Sequence, residues 1–517
     1  MAAGFRGVHQ HGKPPPIHSL AIEVVAEILA GLDSSSLSSA LLAHPLFWST
    51  FQAYQQQILR EILRRLIPPQ LFPLAFVTYE AASIDYSDWN LIRRLLDRLQ
   101  ADQARVFGAS PTPSSTWPLT LTRRMVAAME SAHLMVEYFT ADFAQQAIPR
   151  FCHIFETKIP ETRSLSEELR ISRAFYRFQL YSNIFGRKSL ECARQTTRTI
   201  ASEDWLVQTL PGKTREEMRC ELESFFWPWP PWANEQLICV FEHLEAVISV
   251  FFNEVASHDI EWGWRKVDWI QPSVAIPHRR FLVSSKLHSI SSPESPSLSL
   301  SKKIRLLTSS QLFNGLWLPY QLRQSDEFGA WKALLDSADV SRKWRDIDRV
   351  VTMATSFEGS VAPRTFPNDE GVPARLFLDL FDLDQLRGLE GAAAWPGIDD
   401  AATLPVNLWR YSNHATGPQR AVFARRNLLL RDAGYVFWDA YVGEKAEILD
   451  RVEACSWTFD GRLLPHELPG LQAAMRRSWE ERSKIWLEGG WGYWADGDES
   501  RVRYDLDIQL ENGYGSP

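Results

Sequence analysis

Cys239 and His243 stand four residues apart in a stretch that reads as helix, a spacing that places a thiol and an imidazole on one face, as two ligands of a zinc site would lie. A closed zinc site needs two further donors, and no CxxC or CxH pair accompanies them. A buried thiol beside a hydrogen-bonded histidine is therefore the expectation. Asp496, Asp498, Ser500 and Asp507 superficially match the oxygen ligands of a calcium loop, but Arg501 occupies the place of the turn glycine and Asp507 that of the bidentate Glu. Asp379 and Asp382, flanked by Arg375 and Arg387, have the spacing of exposed helix ion pairs rather than of an acid and a base in one cleft. No GxSxG, GxxxxGK[ST] or HExxH motif occurs, nor a GxGxxG followed by a suitable acid. The chain is expected to recognise rather than transform: no catalytic residue, no cofactor and no metal.

Composition narrows what it recognises. The chain has 517 residues, 45% hydrophobic and 12% aromatic, enough for a small module and a larger body with a sizeable interior. A formal net charge of -8 lacks the basic excess of a phosphate-backbone binder, and the basic run Ser341–Arg345 is broken by Asp346 and Asp348, so no nucleic-acid partner is expected. The five cysteines are odd in number and widely spread, which speaks against a disulfide framework. Residues 1–16 are rich in Gly, His and Pro, without the apolar stretch of a secretory signal, and no apolar run is long enough for a membrane span. The expectation is an intracellular protein, cytoplasmic or nuclear, with no membrane partner.

The periodicity is helical almost throughout, predicting a mainly α fold: a disordered tail over 1–16, a three-helix module over 17–55, and an irregular helical body over 56–288 and 304–517. A Ser/Pro-rich linker or loop over 289–303 divides the body. In the module, Leu20, Val24, Val25, Ile28, Leu29 and Leu32 recur at helical spacing and Gly31 ends the pattern. Asp33 and Ser34–Ser36 supply caps for a second helix starting near Leu37, and Pro45 opens a third, along which Phe47, Phe51, Tyr54 and Ile58 share a face. Further helices are read over Leu91–Leu99 and Arg170–Phe185. The Ser-Pro and Thr-Pro pairs within 110–116 and 289–301 are either ordinary loops or sites for proline-directed kinases.

Projected at 100° per residue, the apolar side chains of the first helix cover about half the circumference, with Glu23 and Glu27 opposite. Docking on one neighbour needs only a stripe of roughly 100°. Each such side chain is worth about 1.5–3 kcal/mol when buried, and a module of this size cannot enclose a core alone, so the arc calls for two neighbours. They are either two surfaces of the same protein or the protein and a partner.

The run Ser19–Asp33, with Ser36-Leu37, Ala40–Ala43 and Phe47, resembles an F-box, the matches falling at Leu20, Glu23, Val24, Ile28, Leu29, Leu32, Asp33, Leu37, Ala40 and Phe47. Ala21 stands where that family usually has Pro. The resemblance, to fungal F-box and F-box-like proteins, implies a substrate receptor of an SCF-type cullin–RING ubiquitin ligase. Residues 17–55 would dock on the adaptor subunit through Leu20, Val24, Ile28, Leu29, Leu32, Leu37, Leu41 and Phe47, and the helical body would hold an unknown target protein. The alternative is a scaffold or regulatory protein, outside any ligase, whose module packs permanently on its own body. Two more segments look like parts of large proteins of this kind: Phe226–Trp229 before Glu235-Gln236-Leu237, and Leu430–Asp439. The indoles of Trp227, Trp229 and Trp232 on a proline-rich stretch suit either a binding edge or rings packed into the core.

Overall fold

The structure, a computed structural model, describes residues 17–84, 88–107, 120–157, 163–186, 224–226, 229, 231–258, 312–338 and 428–439. Among these residues the regular elements are helices and there is no strand, so the protein is mainly α as its periodicity predicts. The tail 1–16, the breaks at 110–116 and 289–303, the basic run at 341–345 and the aspartates at 379–382 and 496–507 lie outside the described residues.

Three helices follow a short turn at Ile17–Ser19: α1 (Ile22–Ala30), α2 (Ser34–Ala43) and α3 (Pro45–Leu66). The second begins three residues before the expected Leu37, because the Asp33 carboxylate alone caps it, accepting from the backbone N–H groups of Ser35 at 2.9 Å and Ser36 at 2.7 Å. These bonds and the two serine hydroxyls hold that carboxyl well below its ordinary pKa. Pro45 occupies the first position of α3, and His44 Nδ1 accepts from the Leu46 N–H at 3.1 Å. Helix α3 continues to Leu66, so the expected module boundary at residue 55 falls inside it, just past Tyr54, where the backbone leaves helical geometry (φ -117°, ψ 19°). Phe51 and Ile58 are buried, whereas Phe47 and Tyr54 are half-buried.

The body is strung on α6 (Arg123–Phe155), whose 33 residues span about 50 Å. Val126, Met129, His133, Val136, Thr140, Phe143 and Ala147 are buried along it at alternating spacings of three and four, the seam of a helix packed along others. Against it lie α2, α3, α4 (Phe72–Ala81) and α7 (Leu165–Tyr181). Helix α5 (Trp89–Phe107) packs on α4 and α8 (Pro231–His258) on α7. Helices α9 (Trp317–Gln324) and α10 (Phe328–Ser337) pack on α8, and the short α11 (Leu428–Asp432) meets both α6 and α8. The buried apolar residues of all these elements form one continuous core.

Polar bonds tie the first helices to the body. Gln56 donates from Nε2 to the Leu121 carbonyl at 2.9 Å and accepts the Leu121 N–H on Oε1 at 2.7 Å. The Ser34 N–H donates to Glu130 Oε2 on α6 at 2.9 Å.

His133 makes this core sensitive to acid. Its Nδ1 is 2.9 Å from the Tyr176 hydroxyl on α7, and burial depresses its pKa from 6.5 to about 4 despite a hydrogen bond to the Leu66 backbone. The unfolded chain takes up this proton near pH 6.5 and the folded protein only near pH 4, so the stability present above 6.5 is lost progressively as pH falls through that window. Glu137 Oε1, 3.3 Å from His133 Nε2, partners the imidazolium and offsets part of the penalty, so the loss should be on the order of 1–3 kcal/mol. Urea midpoints of wild type and His133→Gln between pH 7 and 4 check it, the variant being expected to show the flatter profile.

Candidate functional site

Helix α1 divides its apolar arc in two. Val25, Ala26, Leu29 and Ala30 are buried against the body, chiefly along α3, whose Ile58, Leu59, Ile62 and Leu63 are themselves fully buried. Val24 and Ile28, four residues apart and so one above the other, remain 42% and 46% exposed. Leu20 and Leu32, immediately outside the helix, are half-buried at the two ends of this ridge. Glu23 and Glu27 border it, both exposed.

The eight residues expected to contact an adaptor are thus not one surface. Val24 and Ile28 are exposed; Leu20, Leu32 and Phe47 are half-buried; Leu29, Leu37 and Leu41 are at most 5% exposed and belong to the protein's own core. The last three cannot form an outer contact face while the fold is intact. The reason is that α3 already lies against α1 as the first of the two neighbours that the arc requires, while α3 and α6 enclose α2. Additional apolar side chains are exposed on these helices: Ile22 at 38%, Leu42 at 90% and Trp48 at 43%. Arg123 of α6 lies over the ring of Trp48 with 5.8 Å to its centroid, and over Phe51 at 5.9 Å, fixing the start of α3 by cation–π contact.

One side chain that positions α1 carries no local signal in the sequence. Arg65, near the end of α3, donates from Nη1 to the Ala30 carbonyl at 3.0 Å and from Nη2 to the Leu32 carbonyl at 2.8 Å. A guanidinium at this helix end satisfies carbonyls that otherwise have no intrahelical partner and complements the helix dipole. Nothing near Ala30 indicates a residue that arrives from 35 positions away.

A second cluster joins the two later segments singled out in the sequence. Arg431 donates from Nε to Glu235 Oε1 at 2.7 Å and from Nη1 to Glu242 Oε1 at 2.9 Å, with the three side chains at most 7% exposed. Gln236 Nε2 donates to the Val436 carbonyl at 3.0 Å. Helix α11 ends in a Schellman turn: Gly434 N–H bonds the Arg431 carbonyl and Tyr435 N–H the Leu430 carbonyl, with Gly434 at φ 59°. A Cβ there would come within 2.9 Å of the Phe143 ring, so glycine is required twice over. Tyr435, Val436, Phe437 and Trp438 that follow are fully buried, and Arg170 of α7 donates to the Phe437 carbonyl and to Asp439. The stretch 428–439 is a clasp threaded among α6, α7 and α8. Trp229 and Trp232 pack into the same core, the guanidinium of Arg177 lying 4.1 Å from the centroid of the Trp229 ring; Trp227 lies outside the described residues.

Among the described residues the titratable groups are spread through the packing rather than gathered in a cleft. His243 turns its Nε2 to Asp142 Oδ2 at 2.9 Å. Burial alone would raise the Asp142 carboxyl, but the hydrogen bond and charge of His243, with Arg323 nearby, hold it below its ordinary pKa. Cys239, one turn before His243, is fully enclosed and its thiol is pushed well up by burial, which keeps it protonated. Among the described residues no three His, Cys, Asp or Glu side chains stand where they would hold a metal ion, and no helix is long and apolar enough to cross a membrane. Comparison with protein-family models, with curated proteins and with solved structures returns no match for this chain.

Proposed function

We propose that the chain is an F-box-type substrate receptor that docks on the adaptor subunit of an SCF cullin–RING ubiquitin ligase through the outer ridge of α1, while the helical body holds a target protein. The observation that carries the reading is the division of α1: Val25 and Leu29 are satisfied internally, whereas Val24 and Ile28 present a stripe for a second neighbour. The test is capture of the purified adaptor subunit by the full chain and by Ile28→Asp. Failure of the wild-type chain to bind would overturn the reading.

Ala21 bears on it as well. It precedes α1 with φ -61° and ψ 144° and makes no side-chain cap. That φ is the value at which a proline ring is locked, so the backbone accepts the residue that the F-box pattern has there. Ala21→Pro is expected to stabilise the chain by about 0.4–1 kcal/mol and to tighten adaptor binding, measured by thermal unfolding and by titration against the adaptor.

The second reading, a scaffold with its module packed on its own body, is favoured by the burial of Leu29, Leu37 and Leu41 in the common core. It expects no adaptor capture and unchanged exchange of α1 amides when adaptor is added.

A further inference from the structure

Asp439 is held by two serine hydroxyls and a guanidinium, groups that also bind phosphate. Asp439 Oδ2 accepts from the hydroxyls of Ser164 at 3.0 Å and Ser166 at 2.7 Å. Its other oxygen takes the guanidinium of Arg170, a side chain only 3% exposed, and its N–H donates to Glu167 Oε1 at 2.8 Å. A carboxylate from 273 residues away in sequence thus lies beside the first turn of α7, held by two of its serine hydroxyls and by a buried arginine. The hydroxyl of Ser164 is already committed to the capping box with Glu167, accepting that residue's N–H at 3.1 Å. Ser166 is exposed, its hydroxyl facing Asp439 and lying 2.9 Å from the Ser164 hydroxyl. Arg163 stands three residues before it, an arrangement that basophilic protein kinases read, and Leu165 between them is 64% exposed.

We propose that Ser166 is a phosphorylation site whose modification frees residues 437–439 from α7. The γ-phosphoryl group of a nucleoside triphosphate passes to Ser166 Oγ: the Oγ–P bond forms, the bond from the γ-phosphorus to the bridging oxygen breaks, the nucleoside diphosphate leaves, and the hydroxyl proton goes to the base of the kinase. The product places a group of nearly two negative charges beside Asp439 and at a helix N-terminus that favours it. Arg170 is then drawn from a single carboxylate oxygen to a stronger, bidentate partner. Because the same guanidinium also holds the Phe437 carbonyl, its transfer removes both of its contacts to the clasp. Of these two contacts Asp439 is the less buried, its side chain 34% exposed, and so the first to separate from α7. This proposal is independent of adaptor binding.

The test uses the full chain with phosphoserine placed at 166 by codon suppression and reads amide exchange by mass spectrometry. Amides of 436–439 are expected to exchange about tenfold faster or more, while α1–α3 are unchanged. An unchanged rate at 436–439, or an equal acceleration everywhere, overturns the proposal. In Asp439→Asn the same amides should already exchange faster, and phosphoserine should add less than about twofold; a full further acceleration would place its action elsewhere. Finally, a basophilic kinase with Mg-ATP should label the wild-type chain and not Ser166→Ala, and absence of label from the wild type refutes Ser166 as the acceptor.

Discussion

Replacing Arg431 with Met in the full chain is expected to destabilise the helical body by about 3–5 kcal/mol. Glu235 and Glu242 are 0% and 7% exposed, and Arg431 bonds both. Removing the guanidinium leaves two carboxylates in the core without that partner, and they must then protonate or draw in water, each of which costs stability. Arg431→Lys should fare little better, because an ammonium on a single stem cannot reproduce the fork that meets two carboxylates at once. The urea midpoint, followed by near-ultraviolet circular dichroism, measures the loss, and amide exchange should localise it to 231–245 and 430–438. Combining Arg431→Met with Glu235→Gln and Glu242→Gln should recover much of it, since uncharged side chains no longer carry the cost of a buried ion. A loss below about 1 kcal/mol for the single variant would show that the cluster is solvated and that the clasp is held by its aromatic residues alone.

Adjacent residues of α1 should respond to the same substitution in opposite ways. Leu29→Asp puts a carboxylate into a site that is 0% exposed, losing the burial of a leucine and adding an unpaired charge. A destabilisation of more than about 4 kcal/mol follows, enough to unfold α1–α3, with any binding lost as a consequence. Ile28→Asp alters a side chain already 46% exposed and should cost only about 1–2 kcal/mol, from partial loss of burial and a carboxylate in the last turn of the helix. On the proposed receptor reading its main effect falls on adaptor affinity, weakened at least about tenfold because the substitution forfeits most of the transfer energy of one aliphatic side chain. Stability by urea titration and affinity by calorimetry, measured on both variants, separate a folding defect from a docking defect. Ile28→Asp that keeps full affinity would exclude the α1 ridge as the docking surface.

Much of the module was legible locally, because caps and helix starts depend on residues within a few positions. Asp33 and its serines, Pro45, and the repeat of Val24, Val25, Ile28 and Leu29 each declare a helix without reference to anything distant. The width of the apolar arc likewise predicts two neighbours from periodicity alone. The arc does not indicate which half meets which neighbour, since that depends on where α3 lies; burial of Leu29 and exposure of Ile28, adjacent in sequence, are settled by packing. Residue 55 lies inside α3 for a related reason. A three-helix module suggests three short helices, but Ile58, Ile62 and Leu63 continue the buried face of α3 to Leu66.

By itself the sequence determined the helical class, the caps of the first helices and the presence of an apolar arc too wide for one contact. Only the tertiary structure decided that Arg65 closes α1, that Arg431 meets Glu235 and Glu242, and that Asp439 meets the first turn of α7. Helix formation is set by interactions between residues three and four apart, and it leaves its pattern in any short window. A buried ion pair between residues 196 positions apart leaves no such pattern, because either partner, read alone, looks like a charge on the solvated face of a helix.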